Sequence, residues 1–386
     1  MIPCDVRTGR GAYVGVMNTD AATLNLQPRE SDAVETFDTI VIGGGQAGLS
    51  LGYYLKKEGR SFVILDGGNR VGGSWRTRTW DSLRLFTPAR YDGLPGWSFP
   101  ASGWSFPTAR ETADYLEAYA ERFELPVRLG TRVDRLSREG GRYVAASGGR
   151  RFVADSVVVA TGYYGTPAWP DFAAELDPRI IQMHSSDYRS PAQLAEGPVL
   201  LVGAGNSGAD IALELVQARP VFLSGPDKGQ VPIRIESRKA RFVLPVLWFV
   251  ASHVLTVKTP LGRKVRPHVL SAGAPLIRVK SADLAAAGVE RVPRTVAVRN
   301  GLPLLEHGRA LEVANVIWCT GFRQDYSWID LPVFGDDAEL RHERGICSED
   351  GLYFLGLDFL YSFTSENIGG VRRDARYIAK HIASRD

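Results

Sequence analysis

Sulfur is scarce in this chain: 386 residues hold three cysteines and three methionines. Cys4, Cys319 and Cys347 form no Cys-x-x-Cys pair, which excludes a redox dithiol of that kind and a disulfide framework. A reducing cytoplasm is the expected compartment. The six histidines (184, 253, 268, 307, 342 and 381) are scattered without metal-ligand spacing, so no metal site is expected. Strong charge of one sign is also missing. A net charge of +3, from dispersed Lys and Arg, argues against a nucleic-acid partner and for small molecules. The N-terminus has no apolar run of the secretory kind. One stretch, Phe242 to Val257, is apolar, but it falls short of the roughly 20 residues a bilayer requires and contains Pro245 and His253. It excludes a transmembrane span and reads as a buried or substrate-lining helix, with weak interfacial membrane contact as the second reading.

What is present is ordinary globular composition, 44% hydrophobic and 23% charged, in a chain too long for a single core. Two domains, or one carrying a large insertion, are expected. The first 35 residues are polar and aperiodic and read as a mobile tail, with Met17 a candidate start.

Thr39-Ile-Val-Ile42 is a β-branched run leading into Gly43-Gly-Gly-Gln-Ala-Gly48 and then a helical segment, Leu49–Lys57. That order of strand, tight turn and helix is a dinucleotide fingerprint. Gly43 permits the turn, Gly45 lets the backbone approach a pyrophosphate, and Gly48 lets helix and strand pack closely. Gln46 and Ala47 lie inside the turn, where the helix N-terminus offers N–H groups to phosphate. The next strand, Ser61–Leu65, ends on Asp66, about 20 residues on, where an acid hydrogen-bonds a ribose hydroxyl.

The pattern repeats. Val199–Val202 runs into Gly203-Ala-Gly-Asn-Ser-Gly208, a helix over Ala209–Val216 and a strand Val221–Ser224. Gly203, Gly205 and Gly208 take the same three roles, and Asn206 and Ser207 are candidates for polar contact with the second pyrophosphate. This strand ends on Ser224 without a carboxylate, and Lys228, Arg234 and Arg238 follow. An acid there would repel a 2′-phosphate, so NADPH is favoured over NADH, although spacing fixes no single base. A duplication with one dead copy is the competing reading. Two apolar strands also run into Thr-Gly: Val157 to Thr161-Gly162-Tyr163, and Val316 to Thr320-Gly321-Phe322. Their recurrence suggests the two places where the chain passes between domains.

Taken with Gly72-Gly73-Ser74-Trp75, these motifs resemble the class B flavin-dependent monooxygenases, the family of flavin-containing, Baeyer–Villiger and YUCCA-type enzymes, and in particular its bacterial FAD-dependent branch. The resemblance implies an α/β fold of two Rossmann-like dinucleotide-binding domains, the second inserted into the first. The expected boundaries are 36–165 and 319–386 for FAD and 166–318 for NADPH. It places Gly73, Ser74 and Trp75 against FAD, with Gly356 and the segment Ser365–Gly370 near it. It also implies hydride transfer from NADPH to FAD, formation of a C4a-(hydro)peroxyflavin with O₂, and transfer of one oxygen atom to a small apolar or aromatic substrate.

Two departures matter. The family's Phe and Gly ahead of a histidine are replaced in Pro178–His184, which makes Baeyer–Villiger chemistry less favoured, and Phe86 stands where flavin-containing monooxygenases carry an asparagine. His184 is the one candidate for fixing the nicotinamide side. The substrate is expected near Phe242–Val257 and Phe359–Phe363. A non-oxygenating NADPH-dependent flavoprotein reductase shares both fingerprints and stays open, as do a non-catalytic nucleotide-binding protein and a homo-oligomeric state.

Overall fold

The computed structural model describes residues 34–162, 164–272, 274–335 and 340–385. The expected tail over residues 1–33, Met17 and Tyr163 lie outside that range.

Two sheets organise the chain. In the first, of nine strands, the spatial order is His342–Glu343, Ile346–Cys347, Leu352–Phe354, Arg150–Val159, Val34–Ile42, Phe62–Leu65 and Val127–Arg128. The last five of these run parallel. A hairpin, Arg135–Glu139 with Arg142–Ser147, adds antiparallel to Arg150–Val159. Parallel strands covered on both faces read as continuous apolar runs, and Ile40-Val41-Ile42 and Phe62–Leu65 are buried throughout. The first strand begins at Val34 rather than Thr39, because its long neighbour pairs Arg151 with Val34 and Phe152 with Glu35. Residues 34 and 35, expected in the tail, therefore belong to the sheet.

The second sheet has five parallel strands in the order Glu290–Val292, Val221–Ser224, Val199–Val202, Asn315–Trp318 and Ile181–His184. The chain leaves the first sheet after Val159 and returns to it at His342. On the way out it forms Thr166–Pro167 and on the way back Phe322–Arg323, and these two short strands pair antiparallel with each other. The Thr-Gly segments at 161–162 and 320–321 lie just before them.

The helix Ala240–Phe249, continued by a wider turn over Val250–Val254, corrects the expectation of burial for the apolar stretch. Phe242, Val246 and Phe249 are 82%, 61% and 57% exposed. The inward face carries Ala240, Trp248 and Ser252, and Ser252 Oγ lies 3.3 Å from Thr364 Oγ1. Hydrophobicity alone misleads here because the solvent side of this helix is as apolar as the packed side. No helix among the described residues is long and apolar enough to cross a membrane.

Candidate functional site

A cavity of about 730 Å³ opens at the C-terminal ends of the first sheet's parallel strands, where ligands sit in open α/β folds. Gly43, Gly45, Gln46, Ala47, Asp66, Gly73, Ser74, Trp75, Thr161 and Gly162, all singled out by sequence, line it. Gly48 does not. It is buried, and a Cβ there would stand 1.9 Å from the Gly43 carbonyl oxygen, so its role is packing inside the turn.

Gly43 has φ +113°, and a Cβ on it would lie 2.3 Å from the Ala160 carbonyl oxygen. Gly45 differs. Its backbone is ordinary extended chain at φ −80°, and an added Cβ would meet nothing within 4 Å. The helix Gln46–Lys57 starts directly after it with no side-chain cap, so its first-turn N–H groups face the space that a Cβ would enter. A pyrophosphate fits that cradle. Asp66 closes the other side: Gly44 N–H donates to its Oδ2 at 2.6 Å and Gly68 N–H to its Oδ1 at 2.7 Å. The carboxylate thus shapes both glycine turns while its remaining lone pairs stay available to a hydroxyl.

Gly72, at φ +72°, packs its backbone on the helix Ala109–Arg122, with Ala113 O only 2.8 Å from where a Cβ would be. This seats the short helix Gly73–Thr77, which carries Ser74 and Trp75. Arg70 and Arg76, at the rim, are held by ion pairs: Arg70 to Glu117 at 2.6 Å, Arg76 to Asp114 at 2.6 Å and to Glu117 at 3.0 Å. The apolar part of the lining is formed by Leu85, Phe86, Leu116, Ile368 and Val371. Glu366 and Asn367 come from the C-terminal segment, and Gln46 Nε2 donates to Glu366 O at 3.0 Å, tying that segment to the turn.

The second turn repeats the first in detail. Gly203 has φ +115° and would place a Cβ 2.2 Å from Cys319 O, and Gly208 would place one 2.0 Å from Gly203 O. Gly205, at φ −81°, again faces open space, and the uncapped helix Asn206–Leu215 begins after it. The polar residues differ from expectation. The Asn206 side chain is engaged by protein, donating to Pro275 O at 3.0 Å and accepting from Ile277 N–H at 2.9 Å. Ser224 is fully buried and its hydroxyl contacts Pro293 O and Thr295, each at 2.9 Å. Both side chains are thus held by protein partners. Arg234 pairs with Asp283. Strand pairing instead brings Arg291 to the end of Val221–Ser224, where its Nη2 donates to Gly225 O at 3.0 Å.

His184 is fully buried. Its Nδ1 accepts from Ser186 N–H at 3.1 Å, and its Nε2 donates to Gly321 O at 2.9 Å. With both nitrogens committed and burial lowering its pKa, the ring is a neutral brace that fixes the Gly321 turn rather than a group that meets a substrate. This corrects its candidacy for the nicotinamide side. Neither Phe242–Val257 nor Phe359–Phe363 lines this cavity, and Phe359 is core. Cys319, just after a strand of the second sheet, and Cys347, in a strand of the first, are free thiols, and burial pushes the pKa of each up to about 12.

Sequence reading missed Asn69, Arg78 and Thr87, which line the cavity and belong to no local motif. Arg78 Nη1 donates to the carbonyls of Tyr164 and Gly165, binding the cavity rim to the crossing strand. Behind Thr87 lies Asp92, fully buried, with Oδ1 accepting from the Thr87 hydroxyl at 2.6 Å and Oδ2 without a partner. Burial pushes its pKa up to about 7.

Residues 40–228 match a family described as pyridine nucleotide-disulphide oxidoreductase. The chain is 40% identical to an oxidoreductase termed CzcO-like from Geobacillus kaustophilus over 89% of its length and 98% of the relative's. It is 29% identical to a probable indole-3-pyruvate monooxygenase, YUCCA3, from Arabidopsis thaliana, covering 96% of this chain and 93% of that one. Among solved structures, the flavin-containing monooxygenase from Stenotrophomonas maltophilia superposes with a TM-score of 0.74 at 28% identity, covering 91% of this chain and 99% of the other.

Proposed function

Because the chain belongs to the flavin-dependent monooxygenase family, an oxidoreductase family that works with FAD and NADPH, we propose that it transfers one oxygen atom to a small apolar or aromatic organic substrate. The observation that carries this reading is the matched pair of glycine turns, each with open space at its middle glycine and an uncapped helix behind it. FAD, when bound, supplies hydride acceptance from NADPH and activation of dioxygen.

The protein's part is positioning. In this reading the backbone N–H groups after Gly45 bind the FAD pyrophosphate, Asp66 accepts from a ribose hydroxyl, and Ser74 and Trp75 border the cofactor. The N–H groups after Gly205, with Ser207, take the NADPH pyrophosphate, and Arg291 meets the 2′-phosphate by charge-assisted hydrogen bonds. The apolar wall of Leu85, Phe86, Leu116 and Ile368 suits an apolar substrate and keeps water away from the reacting atoms. The unit bounds we adopt are 34–165 with 319–386 for FAD and 166–318 for NADPH.

Turnover under isotopically labelled dioxygen tests the proposal. A panel of small sulfides, amines and ketones is expected to yield a product carrying one labelled oxygen, with NADPH consumed in equal amount. NADPH consumption with label only in hydrogen peroxide or water, for every compound, would instead mark a reductase.

A further inference from the structure

At the other end of the fingerprint helix from the FAD cavity lies a second cavity of about 610 Å³. Its charge is one-sided. Lys57, Arg90, Arg372, Arg376 and Lys380 line it against a single acid, Glu58. None of those five cations pairs with a carboxylate among the described residues. Arg90 instead lies over the rings of Trp104 and Tyr91, at 4.8 and 5.4 Å from their centroids.

The remaining walls are aromatic: Tyr53, Tyr54, Tyr91, Trp97 and Trp248. Trp248 stacks on Tyr91 with centroids 4.7 Å apart and planes at 21°, and the Tyr91 hydroxyl is buried without a partner. The loop between these rings is rigid. Tyr115 Oη accepts from Leu94 N–H and donates to Trp97 O, both at 2.7 Å, while Tyr119 Oη donates to Pro95 O at 2.5 Å. Gly96 lies against the Tyr53 ring, where a Cβ would stand 2.6 Å away. The groove is therefore pre-formed, of small-molecule size, with flat apolar faces beside clustered positive charge.

We propose that this groove is a binding site for a small organic anion carrying an aromatic ring, with a phosphate or carboxylate as its charged end. The ring lies against Trp248 and Tyr91, and the charged end meets Arg372 and Arg376, which the C-terminal helix Arg372–Ala383 places one turn apart on one face. Two elements link this groove to the FAD cavity. The fingerprint helix gives Gln46 and Ala47 to the cavity and Tyr53, Tyr54 and Lys57 to the groove, and the C-terminal segment gives Val371 to one and Arg372 to the other. Trp248 comes from the arm inserted after the second fingerprint, so an occupant touches both nucleotide-binding units.

Calorimetry and tryptophan fluorescence on the FAD-loaded protein test the site, with 1-naphthyl phosphate, 1-naphthoate, 1-naphthol and inorganic phosphate as probes. A ring-bearing anion is expected to bind one per chain, at least about tenfold tighter than 1-naphthol or inorganic phosphate. Comparison of the two naphthyl anions assigns the charged end as phosphate or carboxylate. The double substitution Arg372→Gln/Arg376→Gln is expected to weaken that binding about 100-fold with flavin content unchanged. Trp248→Ala is expected to weaken it by about tenfold. Saturating NADP⁺ is expected to leave it intact. Equal binding of 1-naphthol, equal binding to the double variant, displacement by NADP⁺, or no binding at millimolar concentration each overturns the proposal.

Discussion

Replacing Gly205 by valine separates the second turn's role from its structural support. The residue has φ −81° and ψ −169°, which valine adopts without strain, and its Cβ would enter open space. The apoprotein therefore loses no packing, and a stiffer unfolded chain adds about 0.5–1 kcal/mol of stability. The substituent occupies the place where a pyrophosphate approaches the helix N-terminus. Losing two hydrogen bonds to a charged group there costs roughly 3–6 kcal/mol, or about 10²–10⁴-fold in NADPH affinity. Gly45→Val is the mirror experiment, with φ −80° and equally open space, and is expected to empty the flavin site while NADPH binding persists. Gly203→Ala is the contrast, because φ +115° and a Cβ 2.2 Å from Cys319 O make the damage structural. Each variant is measured for flavin content, thermal midpoint and NADPH affinity. A yellow, folded Gly205→Val protein that oxidises NADPH with the parent KM would refute the assignment of the second turn.

Asp92 predicts a pH dependence. Its folded pKa of about 7 lies above that of an unfolded aspartate, so between roughly pH 4 and 7 the folded state holds a proton that the unfolded state releases. Stability then falls as pH rises through that window, by up to about 4 kcal/mol, and Asp92→Asn is expected to flatten the slope in denaturant titrations and raise the neutral-pH midpoint. Arg291→Ala is expected to raise KM for NADPH about 10–100-fold while leaving NADH nearly unchanged, since one charge-assisted contact is worth about 1.5–3 kcal/mol; equal effects on both nucleotides would remove it from the 2′-phosphate. His184→Gln is expected to lower stability by about 2–4 kcal/mol through its two buried hydrogen bonds, with the rate of flavin reduction by NADPH, measured in stopped flow, changing less than threefold or so.

Local periodicity and the glycine spacing made both strand–turn–helix units legible, including the strand Val221–Ser224 to the residue and the acid at its place on Asp66. The helices begin earlier than their apolar pattern, at Gln46 and Asn206, because the first turn is built from the residues that bend around a phosphate and carries no hydrophobic signal. What sequence could not supply was pairing at a distance. Arg291 reaches the second turn only because Glu290–Val292 aligns with Val221–Ser224, and Val34 joins the sheet only because Arg151 lies beside it. Asn206, inside the turn, and Ser224, at the strand end, read as ligand contacts from position alone, without the protein partners that hold their side chains. Their partners, Pro275, Ile277 and Thr295, come from about 70 residues further along.

The paired crossings at Thr166–Pro167 and Phe322–Arg323 join the two sheets by a ribbon instead of a thread. A single strand swivels about every bond, whereas two strands zipped side by side flex across their flat face and resist shear within it. Arg78, gripping the carbonyls of Tyr164 and Gly165 from the cavity rim, clamps that ribbon just before its first strand, so the connection between the sheets is stiffened at its base.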